Sequence, residues 1–170
     1  MDLKGKIREI PNFPKEGILF YDITTLLKDA EAFHEVIQKL ADLYRDKGIK
    51  KVVAIESRGF ILGAPLAYLL NAGFVPVRKI GKLPGEVHEV KYSLEYGSNT
   101  LAIHKDAIAL GERVLVVDDL LATGGTIGAT VDLIQKLGGA IVGIAFLIEL
   151  QDLRGRDKLK GHPVLSLMSY

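Results

Sequence analysis

The chain has 170 residues, of which 48% are hydrophobic and 25% are charged. This length and this supply of apolar side chains predict a single folded domain over residues 1–170 and exclude a disordered chain. Twenty-two lysines and arginines oppose 21 aspartates and glutamates, so the charge balance gives no basis for nucleic-acid binding. The absence of cysteine excludes disulfides, thiol catalysis, iron–sulfur clusters and cysteine-ligated zinc, and it fits the cytoplasm.

No apolar stretch of the sequence predicts a membrane-spanning helix. The richest one, at 140–148, has nine residues with a glycine inside, whereas a spanning helix needs ~20. The first six residues, MDLKGK, lack the apolar segment of a signal peptide. We therefore expect a cytoplasmic protein that has no membrane partner.

The first third of the chain predicts an irregular arm, one helix and one buried strand. Residues 10–28 hold two prolines and one glycine, which predict an irregular N-terminal arm. Over residues 31–47, apolar side chains recur at helical spacing, so an amphipathic helix is expected. The run KVVAI at 51–55 does not alternate, which indicates a strand buried on both faces, as in a parallel sheet.

The middle of the chain predicts a second helix, a second strand and a long loop. The helix is expected over 59–71 and the strand over 74–77, where Pro76 favours an edge position. Residues 79–99 hold three glycines and one proline among polar residues. A loop of this length inside a compact domain is usually functional or disordered.

The last third of the chain repeats the alternation of strand and helix. A strand is predicted at 113–117, a helix at 125–137 and a further strand at 140–150. Strands that alternate with helices in this way predict an α/β fold with a mostly parallel central sheet.

Two consecutive carboxylates, the acidic pair Asp118 and Asp119, directly follow the predicted strand 113–117. Ligands of open α/β sheets bind at this end of the strands. The sequence TGGT at 123–126 then leads into a predicted helix. Its glycines let backbone N–H groups approach an anion, its threonines add hydroxyl donors, and the helix N-terminus favours negative charge. The segment therefore predicts a phosphate-binding loop.

The acidic pair would repel a ligand that carried phosphate alone. The carboxylates favour a ligand with hydroxyl groups, a metal ion, or positive charge that develops in a transition state. A sugar phosphate supplies both the phosphate and the hydroxyl groups. Arg58 follows the strand 51–55, and its forked guanidinium suits a diphosphate at the same end of the sheet. The sequence has neither the P-loop motif nor the dinucleotide-binding motif, which disfavours an ATPase or an NAD enzyme.

The strand, the acidic pair and the sequence ATGGT at 122–126 resemble the phosphoribosyl-diphosphate signature of the type I phosphoribosyltransferases. Further segments resemble the members of this family that use adenine, and they occur in the family's order at 17–24, 56–60, 78–85 and 93–97. The resemblance covers nearly the whole chain. It implies a type I phosphoribosyltransferase fold with a small N-terminal hood, about residues 1–28, and a flexible loop, about residues 79–99.

The implied reaction is the transfer of 5-phosphoribose from 5-phosphoribosyl 1-diphosphate to adenine, which gives AMP and pyrophosphate in purine salvage. The acidic pair would meet the ribose hydroxyls, and Arg58, Arg78 and Lys79 would bind the diphosphate. The family also implies a cis peptide bond between Glu56 and Ser57. By the same resemblance, the residues that hold the 5-phosphate are Ala122, Thr123, Gly124, Gly125 and Thr126.

The resemblance places the adenine base under the hood. It assigns base recognition to the main-chain groups of Leu19 and Tyr21 and base stacking to the ring of Phe20. Stacking of a base on an aromatic ring contributes ~1–3 kcal/mol. The family more often has arginine where this chain has Tyr21. If Tyr21 contacts the base only through its backbone, the choice of base does not depend on this difference in side chain.

The predicted loop 79–99 carries Glu95 and Tyr96. By resemblance the loop closes over the site, Glu95 is a catalytic acid, base or hydrogen-bonding group near the purine nitrogens, and Tyr96 binds substrate. Closure would exclude water and protect an oxocarbenium-like sugar from hydrolysis. Magnesium, held mainly by the substrate, would bridge the oxygens of the sugar and the leaving pyrophosphate. The family is commonly homodimeric, which implies a homodimer.

Two alternatives stay open at this point. One is a phosphoribosyltransferase for another purine, such as hypoxanthine or guanine. The other is a regulator that binds phosphoribosyl diphosphate without catalysis, which would normally carry an added DNA-binding domain. A chain of 170 residues with a net charge of +1 has neither the length nor the charge for one. The presence of Glu95 and Arg58 also favours catalysis.

Overall fold

The structure is a computed structural model that describes residues 1–94 and 97–170. The chain divides into a first unit, Met1–Lys39, and a second unit, Leu40–Tyr170. The single domain expected over the whole chain stays a prediction. Within the described ranges, no helix has the length and the hydropathy that crossing a membrane requires.

The first unit contains a pair of short antiparallel strands, β1 (Arg8–Pro11) and β2 (Leu19–Asp22). A 3-10 turn at Lys4–Lys6 precedes the strands, and helices α1 (Thr24–Leu27) and α2 (Ala30–Tyr44) follow them. The arm predicted as irregular is therefore a hairpin followed by a short helix. Strands of four residues are too short to show a hydrophobic period, so the sequence pattern did not reveal them.

The carboxylate of Asp22 accepts hydrogen bonds from Arg8 in β1 and from Thr24, which follows β2. Its Oδ1 atom accepts hydrogen bonds from the backbone N–H of Thr24 at 2.9 Å and from the Thr24 hydroxyl at 2.7 Å. Its Oδ2 atom accepts bonds from Arg8 Nε at 3.0 Å and Arg8 Nη2 at 2.6 Å. These bonds, the Thr24 hydroxyl first among them, lower the pKa of Asp22 to about 2.

We expect Asp22→Asn to lower Tm at pH 7 by roughly 3–6 °C, because it removes the charge that strengthens these hydrogen bonds. A lowered pKa means that the carboxylate stabilises the fold above its ordinary value of 3.8 and loses that effect as the pH falls towards 2. The difference in Tm between variant and wild type should therefore narrow below pH 4 in a thermal-melting series. Asp46→Asn, at an exposed site, is the control, and a difference that does not change with pH would contradict the assignment.

The second unit is built on a seven-stranded sheet. Its strands are β3 (Lys51–Ile55), β4 (Gly73–Lys79), β5 (Val87–Ser93), β6 (Ser98–His104), β7 (Arg113–Leu121), β8 (Ala140–Glu149) and β9 (Val164–Ser169). The order across the sheet is β5-β6-β4-β3-β7-β8-β9, and all pairs from β4 to β9 are parallel, whereas β6 is antiparallel to both of its neighbours. Helices α3 (Arg58–Leu69) and α4 (Gly125–Leu137) pack against the sheet. The predicted α/β fold with a mostly parallel central sheet is confirmed.

The middle strands of this sheet form its buried core. Residues 52–54 of β3, 114–117 of β7 and 144–148 of β8 have no exposed surface. Both faces of these strands are covered, which explains why their sequences are continuously apolar instead of alternating. The buried strand predicted at 51–55 is confirmed at the same residues.

The edge position predicted for β4 from its proline is wrong. β4 lies between β6 and β3 in the sheet order. Among the described residues, however, β6 pairs with β4 only at Arg78 and Lys79. Pro76 therefore has a neighbouring strand on one side alone, which is sufficient for a residue that lacks an N–H donor.

About half of the segment predicted as a long loop at 79–99 is regular structure. β5 and β6 form an antiparallel hairpin whose register runs from Val87 opposite His104 to Ser93 opposite Ser98. Exposed polar residues of β5 alternate with partly buried Val90 and Tyr92, which is typical of a half-buried strand, but the glycines and the proline of this segment favoured a loop. Similarly, β7 runs beyond its predicted end to Leu121, so the acidic pair lies within the strand and not after it.

Candidate active site

A cavity of about 530 Å³ lies at the carboxyl ends of β3 and β7. Residues 55–58 line it from β3 and the start of α3, and residues 118–127 line it from β7 and the start of α4. Because these two parallel strands are neighbours in the sheet, the segments that follow them meet at one edge. The structure thus brings together Arg58, the acidic pair and residues 122–126, which we call the phosphate loop.

The phosphate loop has a backbone that only glycine adopts easily. Gly124 has a φ of +87° in the left-handed region, and a Cβ atom on it would lie 2.6 Å from the carbonyl oxygen of Gly155. Helix α4 begins at the next residue, Gly125, and the first N–H groups of a helix have no partner within it. Thr126 adds a hydroxyl, which lies 3.2 Å from the hydroxyl of Tyr92 in β5. These groups form a site suited to an anion.

The two members of the acidic pair have different surroundings. Asp118 is partly exposed to the cavity, and its Oδ1 atom accepts the backbone N–H of Asp119 at 2.9 Å. Gly59 of α3 packs so close that a Cβ atom on it would lie 2.8 Å from this oxygen. The surrounding protein removes water from the carboxyl group and, together with the charge of Asp119, raises the pKa of Asp118 well above 3.8. Asp119 is 5% exposed and its Oδ2 atom lies 2.8 Å from Arg58 Nε.

Glu56 is a cavity residue that sequence reasoning missed. Its Oε1 atom accepts the backbone N–H of Lys79 at 2.7 Å and lies 3.3 Å from Arg78 Nε. The cavity lining includes Glu56 but neither Arg78 nor Lys79, so the structure does not bring these two predicted ligands into the cavity itself. The signal was available, because Glu56 follows β3 as Arg58 does. The peptide bond from Glu56 to Ser57 is cis, as the resemblance implied.

The predicted base-binding residues belong to the first unit of the chain. Leu19, Phe20 and Tyr21 are consecutive in β2. The ring of Phe20 meets the ring of Phe13 edge to face, with centroids 5.0 Å apart. Burial raises the pKa of the Tyr21 hydroxyl above 10.0. The remaining predicted residues, Glu95 and Tyr96, lie outside the described residues.

The comparisons with known proteins agree with the sequence resemblance. The profile of the phosphoribosyl transferase domain matches residues 22–165. An adenine phosphoribosyltransferase of Halothermothrix orenii is 58% identical over 168 residues, which are 99% of either chain. The crystal structure of adenine phosphoribosyltransferase from Thermoanaerobacter pseudethanolicus has 54% identity and a TM-score of 0.96 over 99% of this chain and 98% of that one. The Saccharomyces cerevisiae enzyme, solved with an imino-altritol bisphosphate and adenine, has 42% identity and a TM-score of 0.93 over 98% and 96%.

Proposed function

The chain belongs to the adenine phosphoribosyltransferases, and from this membership we infer that the cavity at the ends of β3 and β7 is its active site. The protein transfers 5-phosphoribose from 5-phosphoribosyl 1-diphosphate to adenine and releases AMP and pyrophosphate. One observation supports the proposal that this reaction takes place in the cavity. A glycine-rich helix start, two carboxylates and an arginine line the same cavity of about 530 Å³, and they match the phosphate, the hydroxyl groups and the diphosphate of the sugar substrate.

The phosphate loop is the proposed site of the 5-phosphate. Gly124 and Gly125 let the backbone approach the phosphate oxygens, and the start of α4 provides N–H donors in a favourable field. The hydroxyl groups of Thr123 and Thr126 add donors on either side of these glycines. An anion held by main-chain groups has a defined position, which in turn places the ribose over the acidic pair.

The acidic pair is the proposed partner of the ribose hydroxyls. Two negative charges beside a phosphate would oppose binding, and Arg58, at 2.8 Å from Asp119, offsets one of them. Burial and the charge of Asp119 raise the pKa of Asp118. Carboxylate oxygens accept hydrogen bonds from neighbouring hydroxyl groups. Such contacts also stabilise positive charge that develops on the sugar during transfer.

Magnesium fits this site as an ion that the substrate holds. No group of three or more histidine, aspartate or glutamate side chains suited to a metal occurs among the described residues. Mg²⁺ is commonly bound by one or two carboxylates together with substrate phosphates, and the acidic pair is such a donor set. The ion would supply charge neutralisation for the leaving pyrophosphate. Asp118 and Asp119 are the residues that would hold it together with the substrate.

We place adenine recognition in the hood, at the main-chain groups of Leu19 and Tyr21 and the ring of Phe20. Leu19 is 41% exposed and Phe20 is partly exposed, so an apolar surface is present on β2 for the base. Glu95 is the proposed acid, base or hydrogen-bonding group at the purine, with Tyr96 beside it. The diphosphate roles proposed for Arg78 and Lys79 depend on their position at the end of β4, next to β3 in the sheet.

The test of the proposed function is pyrophosphate release with each purine base in turn. We expect the highest kcat/KM with adenine, because a site built on buried hydrogen-bonding groups rejects a base that leaves them unpaired. A higher kcat/KM with hypoxanthine or guanine would identify a different transferase. If none of the purine bases supports pyrophosphate release but phosphoribosyl diphosphate still binds tightly, the protein would instead be a regulator. The salvage reaction and the cysteine-free sequence favour the cytoplasm as its location.

We further propose a homodimer that forms through an apolar row on α3. Ile61, Ala64 and Tyr68 are spaced to share one face of this helix, and all three are exposed, Tyr68 by 85%. Exposed apolar rows of this kind mark interaction surfaces. We expect Tyr68→Glu to shift the molar mass in light scattering from dimer to monomer without loss of fold. Leu110→Glu, at a site 89% exposed elsewhere, should keep the dimer, and a wild-type monomer would contradict the proposal.

A further inference from the structure

We propose that Arg156, anchored on Glu149, is a positioning residue for the phosphate loop and acts through its neighbour Gly155. The 3-10 segment Gly155–Leu159 would then set the affinity for the 5-phosphate without touching it. The identity of the ligand rests on the proposed function, whereas the packing and hydrogen bonds of this segment do not.

Gly155 and the phosphate loop meet backbone against backbone. A Cβ atom on Gly155 would collide with the carbonyl oxygen of Ala122 and would lie 2.7 Å from a methyl carbon of Leu121. In the opposite direction, a Cβ atom on Gly124 would lie 2.6 Å from the carbonyl oxygen of Gly155. Gly155 is buried. Neither glycine leaves room for a side chain, so the position of Gly155 decides where the loop backbone lies.

Gly155 is in turn held by the side chain of the next residue. Arg156 Nε donates to Glu149 Oε1 at 2.7 Å, and Arg156 Nη2 donates to Glu149 Oε2 at 2.7 Å. Arg156 Nη1 donates to the carbonyl oxygen of Val164 at 2.9 Å, and the Ser166 hydroxyl donates to Glu149 Oε2 at 2.8 Å. We call these four residues the Arg156 clamp. A bidentate pair of this kind fixes both the distance and the orientation of its partners.

The clamp is connected to the strand that carries the acidic pair. Glu149 is 5% exposed at the end of β8 and lies opposite Leu121 in the sheet register. The backbone N–H of Leu150 donates to the carbonyl oxygen of Leu121 at 2.9 Å. The far end of the segment is held by Leu159, which is 2% exposed in the core. The segment is therefore fixed at both ends, and the phosphate loop packs against it.

A direct electrostatic role for Arg156 is not supported by its surroundings. The residue does not line the cavity, and its charge is matched by Glu149, whose pKa it lowers through their hydrogen bonds. An arginine that acted only by charge could be replaced by lysine. A lysine ammonium cannot make the two parallel bonds of the planar fork, so the clamp predicts that this replacement is harmful.

The experiment compares Arg156→Lys and Gly155→Ala with two matched controls. Arg154→Lys changes an arginine that is 78% exposed two residues away, and Gly128→Ala adds a methyl group where nothing lies within 4 Å. We expect the two test variants to raise KM for phosphoribosyl diphosphate about 10–100-fold, because small displacements of a binding group are costly. The KM of the two test variants for adenine should stay within about twofold of wild type. The same holds for the KM values of the control variants for both substrates.

Calorimetric binding of ribose 5-phosphate separates this proposal from the proposed function, since it needs neither adenine nor turnover. Weaker binding in Arg156→Lys, with wild-type binding in Arg154→Lys, would support the clamp even if no purine released pyrophosphate. Equal increases in both KM values, or a lower Tm with unchanged KM and unchanged ribose 5-phosphate binding, would overturn it. If Gly155→Ala does not fold, Arg156→Lys decides the outcome alone.

Discussion

Arg58→Ala should lower kcat/KM for phosphoribosyl diphosphate by about 10²–10³-fold, the range measured when a charged or oxyanion-stabilising donor is removed. Arg58 is the first residue of α3 and its side chain is 44% exposed at the cavity. Its Nε atom pairs with Asp119 at 2.8 Å, and a guanidinium with five donors can hold this carboxylate and a diphosphate together. The alanine variant loses both functions. Steady-state rates at saturating adenine measure the effect.

Arg58→Lys and Arg45→Ala are the controls for this variant. Lysine keeps the charge but not the fork, so we expect an intermediate loss of kcat/KM. Arg45 is exposed directly after the end of α2 and pairs with Asp42 at the surface, where its removal should change neither kcat nor KM. A kcat/KM for Arg58→Ala within threefold of wild type would show that the diphosphate binds elsewhere.

Substitutions in the acidic pair should lower activity at both positions but change stability differently at each. Asp118→Asn and Asp119→Asn are each expected to lower kcat/KM for the sugar substrate roughly 10–100-fold, since each loses hydrogen bonds to a charged group. Asp119→Asn should also lower Tm, because Arg58 loses its buried partner. Asp118→Asn should keep or raise Tm at pH 8, because the fold disfavours the ionised form of this residue.

The pH dependence of Tm tests whether the ionised form of Asp118 destabilises the fold. A raised pKa means that the native state binds a proton which the unfolded chain has released, so stability falls as the pH rises above 3.8 towards the folded-state value. The asparagine variant has no such loss, so the difference between its Tm and that of wild type should rise as the pH increases. Unchanged kcat/KM in both variants at saturating magnesium would show that the acidic pair does not contact the sugar. A Tm for Asp118→Asn that falls relative to wild type at high pH would contradict the charge assignment.

The segment from β7 to α4 shows how much of the site could be predicted from sequence. Helix α4 spans Gly125–Leu137, as predicted, with glycines of positive φ at its two caps, Gly124 and Gly138. Local rules are sufficient here, because a buried apolar strand, a glycine turn and an amphipathic helix each leave a pattern within a few residues. The prediction that Arg58 and the acidic pair lie at the same end of the sheet follows from the rule for parallel strands.

Other features were decided only by contacts between distant segments. The hairpin of β5 and β6 begins in the segment predicted as a loop and ends beyond it, and each of its strands completes the hydrogen bonds of the other. The place of β4 inside the sheet depends on where β6 pairs with it. No local pattern contains such information, because strand pairing depends on partners that are far apart in the sequence.

The sequence by itself determined the α/β class and, through its resemblance to a family, the reaction, and it predicted the phosphate loop and the acidic pair at one end of the sheet. The tertiary structure decided how these groups are charged and held. The pairing of Asp119 with Arg58 and the contact of Gly155 with the phosphate loop join residues that lie 61 and about 30 positions apart. The energies of such contacts depend on burial and on distances such as the 2.8 Å between Arg58 and Asp119, and these quantities exist only once the chain has folded.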